Sequence, residues 1–101
     1  MSTGSQRVQS PALDVKITYP ADGATGIPNT FSPSGTRFPG NVAVTLTMAG
    51  QTDQVVPTGR VGDTNWTDPG SYTLANDTYS LTASVTLDGD TVTNTVQFTV
   101  G

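Results

Sequence analysis

The sequence lacks cysteine and histidine, and all eight of its acidic residues are aspartate, so glutamate is missing as well. Without cysteine there is no disulfide, no thiolate metal ligand and no thiol nucleophile. Without histidine the commonest general base and the commonest transition-metal ligand are also missing. These absences argue against catalysis, so we expect a protein that is not an enzyme and carries no cofactor.

Charge is scarce too. Charged residues make up 12% of the 101-residue chain, and its four basic residues are scattered along it. Nucleic-acid binding requires clustered lysine and arginine that neutralise phosphates, so we expect no nucleic acid as a partner. No apolar stretch is long enough to span a membrane, so no membrane contact is expected. The first seven residues lack the apolar centre of a signal peptide, so we expect no export by that route.

Strict alternation of apolar and polar residues dominates the last third of the chain. Apolar residues occupy every second position of 79–87, and Val92, Val96, Phe98 and Val100 follow the same rule in 91–100. Alternate side chains of a strand point to opposite faces of a sheet. With Asp88-Gly89-Asp90 between them, the two runs predict a β-hairpin with one face in a core and one in water.

Six shorter runs read as strands, and none of the chain has the apolar period of a helix. Five of these runs cover 14–19, 30–38, 42–48, 54–58 and 72–74, the sixth is the stretch 61–67 around Trp66, which is less clearly a strand, and turns rich in Pro, Gly, Asn and Asp lie between them. Pro33 cannot donate to a ladder, so the run at 30–38 is expected at a sheet edge or bulge. We predict an all-β, antiparallel β-sandwich of about seven strands over residues 14–101, preceded by a polar N-terminal arm at 1–13.

Three segments carry a resemblance to a known family. Residues 17–23, 74–83 and 96–100 read ITYPADG, LANDTYSLTA and VQFTV, and over 14–101 the chain resembles the bacterial immunoglobulin-like domains. The resemblance implies an immunoglobulin-like sandwich in which Tyr79 forms a tyrosine corner, its hydroxyl bonding to backbone near the preceding turn. The paired cysteines of antibody domains are missing. Domains of this family act as spacers, as adhesion modules or as decorations on larger structures, including phage virions.

Two kinds of residue are candidates for chemistry at a site. Aspartates cluster near turns, where they could bind calcium or form a glycosidase pair. Aspartate is also a standard turn residue, and no calcium-loop spacing is present, so we predict turn roles and no metal. Tyr19, Tyr79 and Phe98 follow the core pattern. Trp66 and Tyr72 remain a candidate ligand-stacking pair for carbohydrate, with a core position as the alternative for Trp66.

The functional hypothesis at this stage is a capsid decoration or cement protein of a tailed phage. The chain begins with Met1, has no export signal and no catalytic set, and has an uncharged, threonine-rich surface. We expect its arm to lie across the major capsid protein or another virion protein, with Val8, Pro11 and Leu13 as apolar anchors. A sheet edge would accept a neighbouring strand. Multiple copies or a homo-oligomer on the lattice of the virion surface would add avidity.

The alternative hypothesis is an adhesion, spacer or carbohydrate-binding module from a secreted bacterial surface protein. In that case the protein would be found at the bacterial cell surface or outside the cell, and its parent chain would be longer. The native gene distinguishes the two hypotheses.

Overall fold

A computed structural model of the chain describes residues 13–49, 54–56, 63–68 and 70–101. These residues form strands β1 Asp14–Tyr19, β2 Ala24–Ile27, β3 Thr30–Phe31, β4 Ser34–Phe38, β5 Val44–Met48, β6 Gln54–Val56, β7 Asn65–Thr67, β8 Tyr72–Thr73, β9 Asp77–Leu87 and β10 Asp90–Val100. No helix long and apolar enough to cross a membrane occurs in these ranges. The all-β prediction is confirmed, with ten strands in the described residues rather than about seven.

Local chemistry accounts for the difference in strand number. The run at 30–38 is divided into β3 and β4, because Pro33 has no N–H with which to continue a ladder. The sequence of residues 20–26, PADGATG, is rich in turn residues and predicts a turn, yet Ala24–Ile27 forms β2. It becomes a strand by pairing in parallel with β10, where Ala24 lies opposite Phe98 and Ile27 opposite Val100.

The strands form two packed layers. The larger sheet has the order β2-β10-β9-β5-β6, the second sheet has the order β1-β4-β7, and β3 pairs with β8. Every pair is antiparallel except β2 with β10, so the prediction of a purely antiparallel sandwich is wrong at that one pair. Strand β1 packs against both β9 and β10, which brings the two main sheets face to face.

The β9–β10 hairpin is the longest paired unit. Its register runs from Leu87 opposite Asp90 to Asp77 opposite Val100. Asp88 and Gly89 have φ of 53° and 85°, as a two-residue turn of the favoured hairpin hand requires. On the water-facing side, three cross-strand threonine pairs hold their hydroxyls within hydrogen-bond distance: Thr78 and Thr99 at 3.1 Å, Thr82 and Thr95 at 2.9 Å, and Thr86 and Thr91 at 2.9 Å. Each such pair adds about 0.2–1 kcal/mol to the sheet.

The core lies between the facing layers and contains an aromatic cluster. The ring of Phe31 lies 5.3 Å from that of Phe98 and 5.8 Å from that of Tyr72, measured between centroids. Phe98 also stacks on Tyr79 at 5.9 Å. Tyr19 meets Phe31 edge-on at 6.4 Å, yet it is 38% exposed, so its predicted core position is only partly correct. The register of β1 with β4 shifts between Ile17 and Tyr19, which carries the Tyr19 side chain outward.

Candidate functional site

The aspartates of the described turns bond to local or neighbouring backbone. Asp22 accepts a hydrogen bond from the Gln97 N–H at 2.9 Å. The other bonds of this kind join Asp63 to the Asn65 N–H at 3.1 Å, Asp68 to the Gly70 N–H at 2.8 Å and Asp77 to the Thr78 N–H at 2.8 Å. Within the described residues, no group of three or more acidic side chains is placed to hold a metal ion. These carboxylates therefore shape turns, as the sequence predicts.

Trp66 and Tyr72 both lie in the core. They are 3% and 2% exposed, so the prediction that they form a ligand-stacking surface is wrong. The indole N–H of Trp66 donates to the carbonyl of Thr36 at 3.0 Å, and Tyr72 packs on Phe31. The cause is register, since Trp66 pairs with Gly35 and Tyr72 with Phe31, both of which face inward. The core alternative for Trp66 is the correct one.

Tyr79 makes the hydrogen bond that the family resemblance implies. Its hydroxyl donates to the carbonyl of Ala75 at 2.7 Å, just upstream of β9. Its ring stacks on Phe98, so one side chain ties the approach to β9 to the core. This arrangement gives Tyr79 a structural role.

The predicted arm anchors fall into two groups. Leu13 is partly buried and packs against the core of its own domain. It therefore fastens the beginning of β1 to the core, and its contact with a partner stays a prediction. Val8 and Pro11 lie outside the described residues.

Two strand edges lie together on one side of the sandwich, and we call this region the open side. It consists of β1, which pairs only with β4, and of residues 90–96 of β10, which pair only with β9 in the described structure. Strand β2 covers β10 only further along, at Phe98 and Val100. Such unpaired edges are templates for another strand.

The direction of the β10 backbone groups follows from the bonds of Gln97. Its N–H donates to Asp22 and its carbonyl accepts from the Gly23 N–H at 2.6 Å, so both groups point away from β9. In an antiparallel ladder alternate residues share this direction. The backbone groups of Thr91, Thr93 and Thr95 therefore point out of the open side, and their side chains are exposed.

Asn94 joins the two edges of the open side. Its side-chain oxygen accepts the backbone N–H of Ile17 at 2.8 Å. This bond occupies a donor of β1 that no described strand pairs with, and it leaves the β10 edge uncovered. The sequence-based interpretation missed Asn94, although its position in the inward phase of β10 was a signal, since the neighbours in that phase are apolar.

A shallow pocket of about 290 Å³ lies between the Asp22 turn and the end of β10. One carboxylate oxygen of Asp22 is engaged by the Gln97 backbone, and Gly23 bonds to the same residue. The pocket is open to solvent, and its polar groups serve the turn. We therefore place the candidate site at the open side.

No family model matches the chain, and no curated protein matches it. Among solved structures, the chain is similar to the crystal structure of an engineered protein determined at 1.98 Å resolution, with a TM-score of 0.66 and 20% sequence identity. The similarity covers 96% of this chain and 21% of the engineered protein, so this chain spans about a fifth of that protein's length. At this identity the similarity shows the fold alone.

Proposed function

We propose that this chain is a non-enzymatic structural protein that attaches to the capsid surface of a tailed phage. The observation that carries the proposal is the β10 edge at residues 90–96, which no described strand covers, beside the strand into which the N-terminal arm leads. The partner is the major capsid protein or another virion protein, which contributes an extended segment. Attachment takes place through this edge and the arm.

Strand addition suits the chemistry of the open side. Three alternate threonines offer backbone N–H and C=O groups outward, and main-chain hydrogen bonds supply affinity in this mode of recognition. At roughly 3.4 Å per residue, residues 90–96 offer an edge of about 20 Å. With few charges in the chain, single contacts gain little from electrostatic steering. Many copies on a symmetric shell make such weak contacts sufficient.

The proposal includes an immunoglobulin-like topology. Strands β1, β4 and β7 lie in one layer, and β2, β10, β9, β5 and β6 lie in the other. A first strand divided between two sheets, as β1 and β2 are, supports this assignment. So does the tyrosine bonded to the corner before β9. The scaffold then presents the open side from a rigid core.

The first test uses particles of the phage whose genome carries this gene. We expect mass spectrometry of purified virions to detect the chain in stoichiometric amounts. Deletion of residues 1–12 should lower the bound fraction at least tenfold, because the arm contact is lost, while the domain keeps its thermal unfolding midpoint. A gene that encodes this chain only within a longer secreted surface protein would overturn the proposal in favour of an adhesion or spacer module.

The second test addresses the β10 edge. Thr93→Pro removes one outward N–H without touching the ladder to β9, so we expect the fold to survive with a loss of about 1 kcal/mol or less. Strand addition should weaken at least tenfold in a sedimentation assay with particles. Thr93→Ala keeps the N–H and removes the same exposed side chain, so it should bind like the unmodified protein. Equal binding by both variants would show that this edge is not used.

A further inference from the structure

We propose that Arg37 is the binding group of a site for a carboxylate. Arg37 lies on β4 opposite Val15 and faces inward, where it is 2% exposed. Arginine is rarely buried to this degree without a partner. The sequence carries a signal for this position, since Arg37 follows Phe31, Pro33 and Gly35 in the inward phase of the chain.

Only one side of the guanidinium group is satisfied. Its Nε donates to the carbonyl of Asp63 at 3.2 Å, while the Arg37 backbone N–H donates to the carbonyl of Thr64 at 2.7 Å. The two terminal nitrogens, Nη1 and Nη2, are buried and have no hydrogen-bond partner among the residues that the structure describes. Nη1 and Nη2 are therefore the groups that can bind a ligand, and their parallel N–H groups match the two oxygens of a carboxylate.

The described part of the chain supplies no carboxylate for this pair. The nearby Asp63 uses its side chain to accept the Asn65 N–H. Asp14 lies opposite Phe38 in the register, on the face of the sheet that points to water. Outside the described ranges the sequence has one acidic residue, Asp53, and the segments 1–12 and 57–62, which lead into β1 and Asp63, have none. A buried, unpaired cation is strongly destabilising, so the site favours an anion from outside the chain.

Asp68 is the one described carboxylate that is buried, and it lies at the far end of the same pair of strands. Its backbone N–H donates to the carbonyl of Pro33, whereas Arg37 bonds to Thr64. Pro33 and Arg37 are four positions apart along an extended chain, which is roughly 13 Å at 3.3 Å per residue. The Asp68 carboxylate accepts the Gly70 N–H there. Its second oxygen, Oδ2, is buried and also has no hydrogen-bond partner among the described residues, so no bond joins Asp68 to Arg37 there.

Physical arguments select a carboxylate among anions. The cost of burying an ion rises steeply with its charge, which disfavours phosphate and sulfate relative to a monovalent group. The chain itself carries a net charge of −4, which repels multivalent anions further. Arg37 is the penultimate residue of β4, beside Phe38, which is 44% exposed, and strand ends open locally at low cost. The carboxylate comes from a small free acid or from an aspartate or glutamate of a partner.

The test is thermal and denaturant unfolding of the full chain in formate and acetate, against chloride and sulfate at equal ionic strength. Trp66 is the single tryptophan and is buried, so its fluorescence reports unfolding. We expect the unfolding equilibrium constant to fall about tenfold when formate reaches ten times its Kd. A capped peptide with one glutamate, against its glutamine counterpart, separates a partner side chain from a free acid as the source.

Three variants and one spectrum make the result specific. Arg37→Met keeps much of the side-chain volume and should abolish the response, whereas Lys16→Met removes an exposed cation from β1 and should retain it. Arg37→Lys keeps the charge without the paired nitrogens, and should lose most of the response. In the unmodified protein, formate should shift the ¹⁵N resonances of the Arg37 guanidinium. An equal response in Arg37→Met, a stronger response to sulfate, or unmoved guanidinium resonances would each overturn the proposal.

Discussion

Phe98→Ala is expected to lower the free energy of unfolding by about 4–5 kcal/mol. Phe98 is 1% exposed, and its ring contacts both Phe31 and Tyr79. Truncating a buried phenylalanine costs about 3–5 kcal/mol, and each aromatic pair adds about 0.5–1.5 kcal/mol beyond burial. Because a domain of this size has only about 5–15 kcal/mol of stability, the substitution should remove between roughly a quarter and all of it.

Urea unfolding at 25 °C, followed by Trp66 fluorescence, measures this effect. The matched control is Tyr19→Ala, because Tyr19 belongs to the same aromatic cluster but is 38% exposed. Its loss should be about 1–2 kcal/mol, since much of its ring is already in water. Similar losses for the two variants would show that burial at the centre of the cluster does not set its contribution.

Gly35→Ala should destabilise the fold by about 3 kcal/mol although it adds a single methyl group. A Cβ at this position would overlap the backbone carbonyl of Lys16, and it would lie 2.7 Å from the nearest ring atom of Trp66. The strand partner cannot withdraw without breaking the β1–β4 ladder, and the indole is held by its bond to Thr36. Overpacking of this kind forces backbone shifts.

The control for this variant is Gly23→Ala, which separates crowding from backbone strain. Gly23 has φ of 80°, and a methyl group added there would meet no atom within 4 Å. Only strain applies, so we expect a loss of about 1–2 kcal/mol. Adding Trp66→Phe to Gly35→Ala should not restore stability, because the Lys16 carbonyl remains in the way. Recovery of stability in that double variant would show that the indole alone causes the conflict.

The best sequence predictions came where local pattern and tertiary pairing agree. The alternation of 79–87 and 91–100 with an Asp-Gly turn predicts the β9–β10 hairpin, and the structure has this hairpin, with Asp90 already paired with Leu87. The turn roles of Asp63 and Asp77 also follow from chemistry that acts over one or two residues, since each carboxylate accepts a backbone N–H of its own turn. Hydrogen bonds between residues this close in the chain can be predicted from the sequence without knowledge of the rest of the fold.

The site was less predictable, because its members come from distant parts of the chain. The sequence around Trp66 and Tyr72 does not show whether these side chains face water or the core. Only the pairing of β7 with β4 and of β8 with β3 turns them inward. The bond from Ile17 to Asn94 joins residues 77 positions apart. Among the described strands, the edge at 90–96 stays uncovered because β2 pairs with β10 only at its far end.

By itself, the amino-acid order determined which segments are extended, which face of each is apolar, and which chemistries the missing residue types exclude. Those properties arise from side-chain period and composition, which act locally. Tertiary structure alone decided which edges stay unpaired in the described strands, which aromatics are buried, and that the Arg37 guanidinium lies in the core with two nitrogens unsatisfied. The reason is that burial depends on the layer that packs on each strand, and an edge stays unpaired or not depending on which strand lies beside it. The sequence of one strand does not specify either neighbour.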